Sequence, residues 1–190
     1  MIEKLLALDA LVYPIEQQGD LQIVWERYIK NKDTFTIVCS DSKPIGYICA
    51  FPIEDKLYDS IKKEGLLFDS TIPPELIKGY EKGMEYNLYI ISIVIHPDYQ
   101  GSNTLKFILK GFADKIDRLK DQGMTFNKIL ANAITSKGYH LLQSLGFKII
   151  YKVNDESVIM ESKVETVIKI IRNRLENWDD QQNGPTIDRD

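Results

Sequence analysis

Residues 88–95 (LYIISIVI) constrain this chain more than any other stretch. Seven of the eight are apolar, only Ser92 interrupts them, and His96-Pro97 ends the run. The run is too short for a buried helix and far short of the ~20 residues that a membrane-spanning helix needs. A strand covered on both faces satisfies it, and strands of that kind sit at the centre of sheets with helices packed on either side. The expectation is therefore an α/β fold, a central sheet flanked by helices.

The flanking segments supply those helices and the remaining strands. Residues 3–13 carry Leu5, Leu8, Leu11 and Val12 at helical spacing until Pro14. A second amphipathic segment places Leu21, Val24, Trp25 and Tyr28 on one face. Residues 34–40 (TFTIVCS) and 45–51 (IGYICAF) are β-branched and aromatic, and Asp41-Ser42-Lys43-Pro44 between them has turn chemistry, so the spacing predicts a hairpin. Residues 54–64 read as a short helix stopped by Gly65. Residues 66–87, with Pro73-Pro74, Gly79 and Gly83, read as an irregular excursion holding one short helix at 74–80. Past residue 97, Leu105, Ile108, Leu109, Phe112, Ile116 and Leu119 form a helical stripe closed by Gly123. A strand at 127–134, a helix at 137–145 capped by Thr135-Ser136, and strands at 147–153 and 157–160 follow. A last helix, 164–178, presents Val164, Val167, Ile168, Ile171, Leu175 and Trp178 on one side. That stripe must dock on its own domain or on another chain, so a monomer and a homodimer are both open. Residues 179–190 (DDQQNGPTIDRD) read as a disordered tail.

Charge and cysteine usage narrow the function classes. The 24 basic and 28 acidic residues leave a net charge of −4, which argues against a protein built to grip nucleic-acid phosphates. The N-terminal stretch has acids on both sides and no small-residue cleavage site, so it does not read as a signal peptide. Cys39 and Cys49 fall on the two arms of the predicted hairpin, ~13 Å apart at the usual strand rise. A disulfide needs Cα atoms within ~7 Å. Two reduced, buried thiols and a cytoplasmic chain are expected, with no metal and no membrane partner.

The order strand–loop–helix–strand–helix–strand from 88 to 153 puts a ligand site at the carboxyl ends of the strands, where helix N-termini also point. The loop after the central strand, His96-Pro97-Asp98-Tyr99-Gln100-Gly101-Ser102-Asn103-Thr104, opens directly into a helix. Backbone N–H groups at such a junction can hold a diphosphate. Neither GxxxxGK[ST] nor GxGxxG is present, so it is neither a P-loop nor a dinucleotide fingerprint.

Ile93-Val94-Ile95-His96-Pro97-Asp98-Tyr99-Gln100-Gly101 resembles the start of the acetyl-CoA-binding motif of GNAT N-acetyltransferases. In that family an apolar strand leads to Pro, an aromatic residue, and Arg or Gln opening the pyrophosphate loop. Thr135-Ser136-Lys137-Gly138-Tyr139-His140-Leu141-Leu142-Gln143-Ser144-Leu145-Gly146-Phe147 resembles the family's second motif, a helix ending in Leu-Gly-Phe. The resemblance covers roughly residues 1–162. It implies a GNAT-like mixed sheet and an acyltransferase domain at 1–162, beyond which lie the extra helix at 163–178 and the tail at 179–190.

The resemblance further implies an N-acyltransferase that uses acetyl-CoA as co-substrate, without metal, on a small amine or a peptide amine. Ile93, Val94 and Ile95 would pair with the pantetheine arm. Gln100, Gly101, Ser102, Asn103, Thr104 and Leu105 would hold the pyrophosphate, and Thr135 would flank the thioester. Asn103 stands where the family has Gly, and Leu105 where it has a small residue. Leu142 stands where many members carry the Tyr that protonates the departing thiolate. Tyr139 is the nearest substitute, either as that proton donor or as an aromatic packing on the sheet. For a base, Glu85 and Asp98 are the carboxylates nearest the central strand. The alternative is a non-catalytic acyl-CoA-binding or protein-interaction domain on the same fold.

Overall fold

Strand β3 (Glu85–Ile95) lies inside a six-stranded mixed sheet, as its apolar run requires. The computed structural model describes residues 1–65, 72–155 and 157–182. The other strands are β1 (Phe35–Ser40), β2 (Lys43–Pro52), β4 (Thr125–Ala133), β5 (Lys148–Lys152) and β6 (Val158–Lys163), in the order β1-β2-β3-β4-β6-β5. Only β3 and β4 run parallel. Asp41 and Ser42, at φ 47° and 62°, make the two-residue hairpin turn between β1 and β2; short polar side chains tolerate that region best.

Helices cover both faces. On one face lie α4 (Thr104–Asp121), α5 (Ser136–Ser144) and α6 (Val164–Gln182). Ile108, Leu109, Phe112 and Ile116 of α4 pack there with Ile48, Leu88, Ile90 and Ile129 of the sheet. The other face carries α1 (Ile2–Asp9) and α3 (Asp55–Glu64), with Leu5, Leu8, Tyr58 and Ile61 against Tyr47, Phe51, Tyr89 and Leu130. Helix α2 (Leu21–Lys30) packs on α1. Gly46 of β2 lets the start of α4 sit down on the sheet: a Cβ there would lie 2.8 Å from Ile108 Cδ1 and 2.9 Å from the Val94 carbonyl oxygen.

Several expectations need correction. The apolar side of α2 is not buried: Leu21 and Trp25 are exposed, and the buried residue is Arg27, whose guanidinium reaches inward to donate to the Ile72 carbonyl. Cys39 is exposed, just past the register shift that follows Val38 in β1; Cys49 is buried, and neither forms a disulfide. The short helix expected at 74–80 is a single 3-10 turn, Pro74–Leu76, followed by β3 from Glu85, while 66–71 lie outside the described residues. Helix α6 continues past Trp178 to Gln182, and 183–190 lie outside the described residues.

The apolar stripe of α6 is covered by its own domain. Val164, Val167, Ile168, Ile171 and Leu175 are buried against the α4-side core, and Arg172 pairs with Asp114 and Asp117 of α4. No helix among the described residues is long and apolar enough to cross a membrane.

Candidate active site

The site begins with one extra residue. Cys49 of β2 faces Ser92, yet the next residue, Ala50, faces Ile90, so Ile91 bulges out of the ladder. Before the bulge, Leu88 and Ile90 point into the α4-side core; after it, Ile93 and Ile95 do. The alternation of side chains has shifted by one. Parallel pairing with β4 stops at the same point, its last pair being Ile90 with Ala131. Beyond it β3 runs on to Ile95 bonded to β2 alone, and β4 runs to Ala133 bonded to β6.

A cleft of about 640 Å³ opens between the parted strands on the α4–α5 side. Ile93, Ile95, Gln100, Gly101, Ser102, Leu105 and Thr135, all expected at a cofactor site, line it. Val94 is also in the parted stretch, but its side chain turns into the opposite core, so only its backbone can serve the cleft.

The loop at the rim is built without the glycines of the resembling family. Gly101 takes the one left-handed conformation, at φ 81°, with nothing within 4 Å of where a Cβ would stand. Asn103 sits at φ −73° as the residue before α4 and needs no glycine. The Ser102 hydroxyl donates to the Tyr99 carbonyl (2.6 Å) and accepts from the Thr104 backbone N–H (3.2 Å), which fixes the loop onto the helix. Thr104 is buried, with its hydroxyl 2.8 Å from that of Ser102. Leu105 forms cleft wall and packs on the core. The first N–H groups of an α-helix have no intrahelical acceptor, and those of α4 open at this rim.

Across the cleft, the Thr135 hydroxyl caps α5 by accepting from Gly138 N–H at 3.0 Å. Lys137 Nζ donates to Gln100 Oε1 at 3.0 Å, tying α5 to the loop and placing a cation beside it. Lys137 was not singled out from the sequence; its signal is a cation in the first turn of the helix facing the loop. The α5 wall is otherwise apolar, through Leu141 and Leu142. Tyr139 is not among the cleft-lining side chains: it packs on the α4-side core and stands edge-on to His140. Three residues on a helix turn the side chain about 60° away from Leu142, which suffices to leave the cleft.

A second cavity, of about 80 Å³, lies on the other face of the sheet beneath α1 and α2. Tyr13, Ile91, Ser92, Asn132 and Ile134 line both cavities, so the two spaces meet at the parting of the strands. In the smaller one the Tyr47 hydroxyl donates to Asp9 Oδ1, and the Ser92 hydroxyl donates to Tyr47 Oη at 3.4 Å. Burial raises the Asp9 carboxyl from the usual 3.8 to about 6, against the opposing effect of that hydrogen bond. The Tyr47 hydroxyl is pushed well above its ordinary value, first by burial and then by Asp9. Glu85 and Asp98 are exposed and line neither cavity. The His96 ring accepts from the Asp98 N–H at 3.2 Å and caps the short turn Pro97–Tyr99.

No protein-family model matches the sequence, and no curated protein is significantly similar to it. Solved structures do match. The loading GNATL domain of CurA from Lyngbya majuscula has 17% identity and a TM-score of 0.55, over 86% of this chain and 93% of that one. PH1933 from Pyrococcus horikoshii OT3 has 16% identity and a TM-score of 0.53, over 85% and 89%. Arabidopsis thaliana Naa50, solved in complex with the bisubstrate analogue CoA-Ac-MVNAL, has 14% identity and a TM-score of 0.51, over 85% and 91%. At these identities the likeness is one of fold, and the fold of this chain is the GNAT fold.

Proposed function

We propose that this protein transfers an acyl group, acetyl in the simplest case, directly from acyl-CoA to a primary amine. The observation that carries the reading is the parting of β3 from β4 after Ile90 and Ala131, which leaves a strand edge facing a cleft closed at one end by a helix-opening loop. A pantetheine arm carries amide groups that can pair with such an edge in strand fashion, here with the backbone of Ile93, Val94 and Ile95. Loop 100–105 and Lys137 would receive the pyrophosphate, and Thr135 with the start of α5 would flank the thioester. The room around Gly101 and the cation at the rim fit an anionic ligand.

Bound acyl-CoA supplies an activated carbonyl. The chain contributes position: it excludes water with Leu105, Leu141 and Leu142 and sets the thioester at the point where the two cavities join. Holding two reactants in this way can supply several kcal/mol of the barrier by itself. A Tyr donor from α5 is not required in this reading. The apolar α5 wall favours the second reading, a domain that binds acyl-CoA without turning it over.

A thiol-release assay with acetyl-CoA against a panel of primary amines, run beside calorimetry with CoA, separates the two. Binding with amine-dependent release of thiol is expected. Binding without release selects the non-catalytic domain, and no binding at millimolar ligand overturns both.

A further inference from the structure

We infer that the smaller cavity is the seat of the acceptor, with Asp9 as the carboxylate that holds the amine's ammonium group and takes its proton. The inference rests on the acyltransferase reading of the cleft and assigns the other half of the reaction.

Asp9 is the last residue of α1, only 8% exposed, and its side chain lies in a cavity whose apolar walls include Leu5, Phe35 and Ile91; Arg27 also lines it, but its guanidinium is turned to the Ile72 carbonyl. Tyr47 is its one side-chain donor among the described residues. A buried carboxylate costs free energy unless something compensates it, and one hydroxyl is a small compensation. The carboxylate therefore lines a space that a cation of the right size would fill favourably. A primary ammonium fits: it is compact, brings three N–H donors, and suits the hydroxyl and amide groups of Tyr13, Ser92 and Asn132 around the same space.

Position decides the role. Ser92 lies at the parting of the strands and lines both cavities, and Ser92, Tyr47 and Asp9 form a hydrogen-bonded chain from that point into the smaller one. An amine on Asp9 therefore approaches the thioester through the opening at the end of the strand pairing. The nitrogen attacks the thioester carbon, the N–C bond forms and the C–S bond breaks, its electron pair going to sulfur. The ammonium sheds two protons in becoming an amide: one passes to Asp9 and the other ends on the CoA sulfur. A carboxyl that keeps its proton up to about pH 6 is roughly a hundredfold stronger as a base than an ordinary one. The titratable or charged groups around it are Tyr47 and Cys49 on β2, Arg27 on α2 and Tyr13 after α1, with Tyr89 of β3 in the same buried layer.

The test uses the full chain, acetyl-CoA, and as acceptors lysine, a polyamine and short peptides with free α-amino groups. Asp9→Asn should lower amine-dependent thiol release at pH 7.5 by about a hundredfold or more. It should keep the acetyl-CoA Kd within threefold and abolish the rise of kcat/KM near pH 6. Tyr47→Phe removes the donor that favours the charged carboxylate, so the rise should move to higher pH. Turnover within threefold of wild type in Asp9→Asn overturns the assignment. Should the Asp9→Asn chain fail to fold, an unmoved pH limb in Tyr47→Phe overturns it instead. Bound acetyl-CoA with no amine releasing thiol overturns it too. Loss of acetyl-CoA binding by the wild-type chain instead overturns the acyltransferase reading on which it rests.

Discussion

The two cavities that meet at Ile91 and Ser92 are built on opposite plans. The larger, on the α4–α5 side, is framed by a strand edge, a loop and two helix starts between residues 90 and 142, joined by Val12 and Tyr13, and its walls are mostly apolar. The smaller is made of side chains from α1, α2, β1, β2, β3 and β4, whose positions run from Leu5 to Ile134. A backbone site can hold a ligand common to many chains while its side chains drift, whereas a side-chain site is particular to its sequence. Under the proposal made above, the particular chemistry of this chain belongs to the smaller cavity, where Asp9 and Tyr47 lie.

The largest test strikes the support of the larger cavity. Truncation after Ser162 removes Val164, Val167, Ile168, Ile171 and Leu175 from the core behind the cleft. Each such side chain contributes ~1.5–3 kcal/mol, together comparable to the whole stability of an ordinary domain. The truncated chain should lose its cooperative unfolding transition by circular dichroism. A soluble truncated chain melting as before would mean that the cleft stands without α6.

Next comes Asp9, read as stability rather than activity. Its carboxyl titrates near 3.8 when exposed and at about 6 in the fold. Below pH 4 both states hold the proton and nothing is lost. As pH rises through 6 the fold forgoes about 3 kcal/mol from this one group. In urea unfolding, Asp9→Asn should therefore gain about that much on wild type between pH 4 and pH 7.5. A difference independent of pH would mean the carboxyl is not buried, and the contrast between the cavities would weaken.

A smaller effect is expected at the cleft rim. Lys137→Glu replaces the cation beside the loop and should weaken CoA binding about tenfold by calorimetry, in keeping with ~1.5–3 kcal/mol for a charged hydrogen bond. The Asp9-dependent pH limb should not move. The smallest effect belongs to Tyr139→Phe, which should leave turnover within twofold because the ring packs outside the cleft. A hundredfold fall would restore the proton-donor role and make α5 part of the chemistry.

What was legible in the sequence follows the same divide. Strand β3 and the stripes of α4 and α6 are local patterns of periodicity, and each fell where the pattern put it, whereas the stripe expected over 3–13 ends with α1 at Asp9 and leaves Leu11 and Val12 exposed. The apolar side of α2 misled, since periodicity shows that a face is apolar but not that a neighbour covers it. Asp9 carried a signal that composition hides: with Ile2 and Leu5 it continues the i, i+3, i+7 spacing of the buried face of α1. Its partner Tyr47 is 38 residues away, and only the assembled sheet brings the two together. Ser92 was visible as the single polar break in an apolar run, but that it falls one residue after the bulge was not.

The bulge at Ile91 makes the architecture a matter of counting. Delete one residue there and the alternation of β3 would run unbroken, so Ile93 and Ile95 would exchange faces with Val94. Side chains that now wall the cleft would turn toward α1, and Ser92 would leave the junction of the two spaces. What position 91 supplies is one residue beyond the ladder, and no shorter segment can supply it. In this stretch the length of the chain is itself a specification, and a frame of one residue separates a continuous sheet from one that opens into two joined cavities.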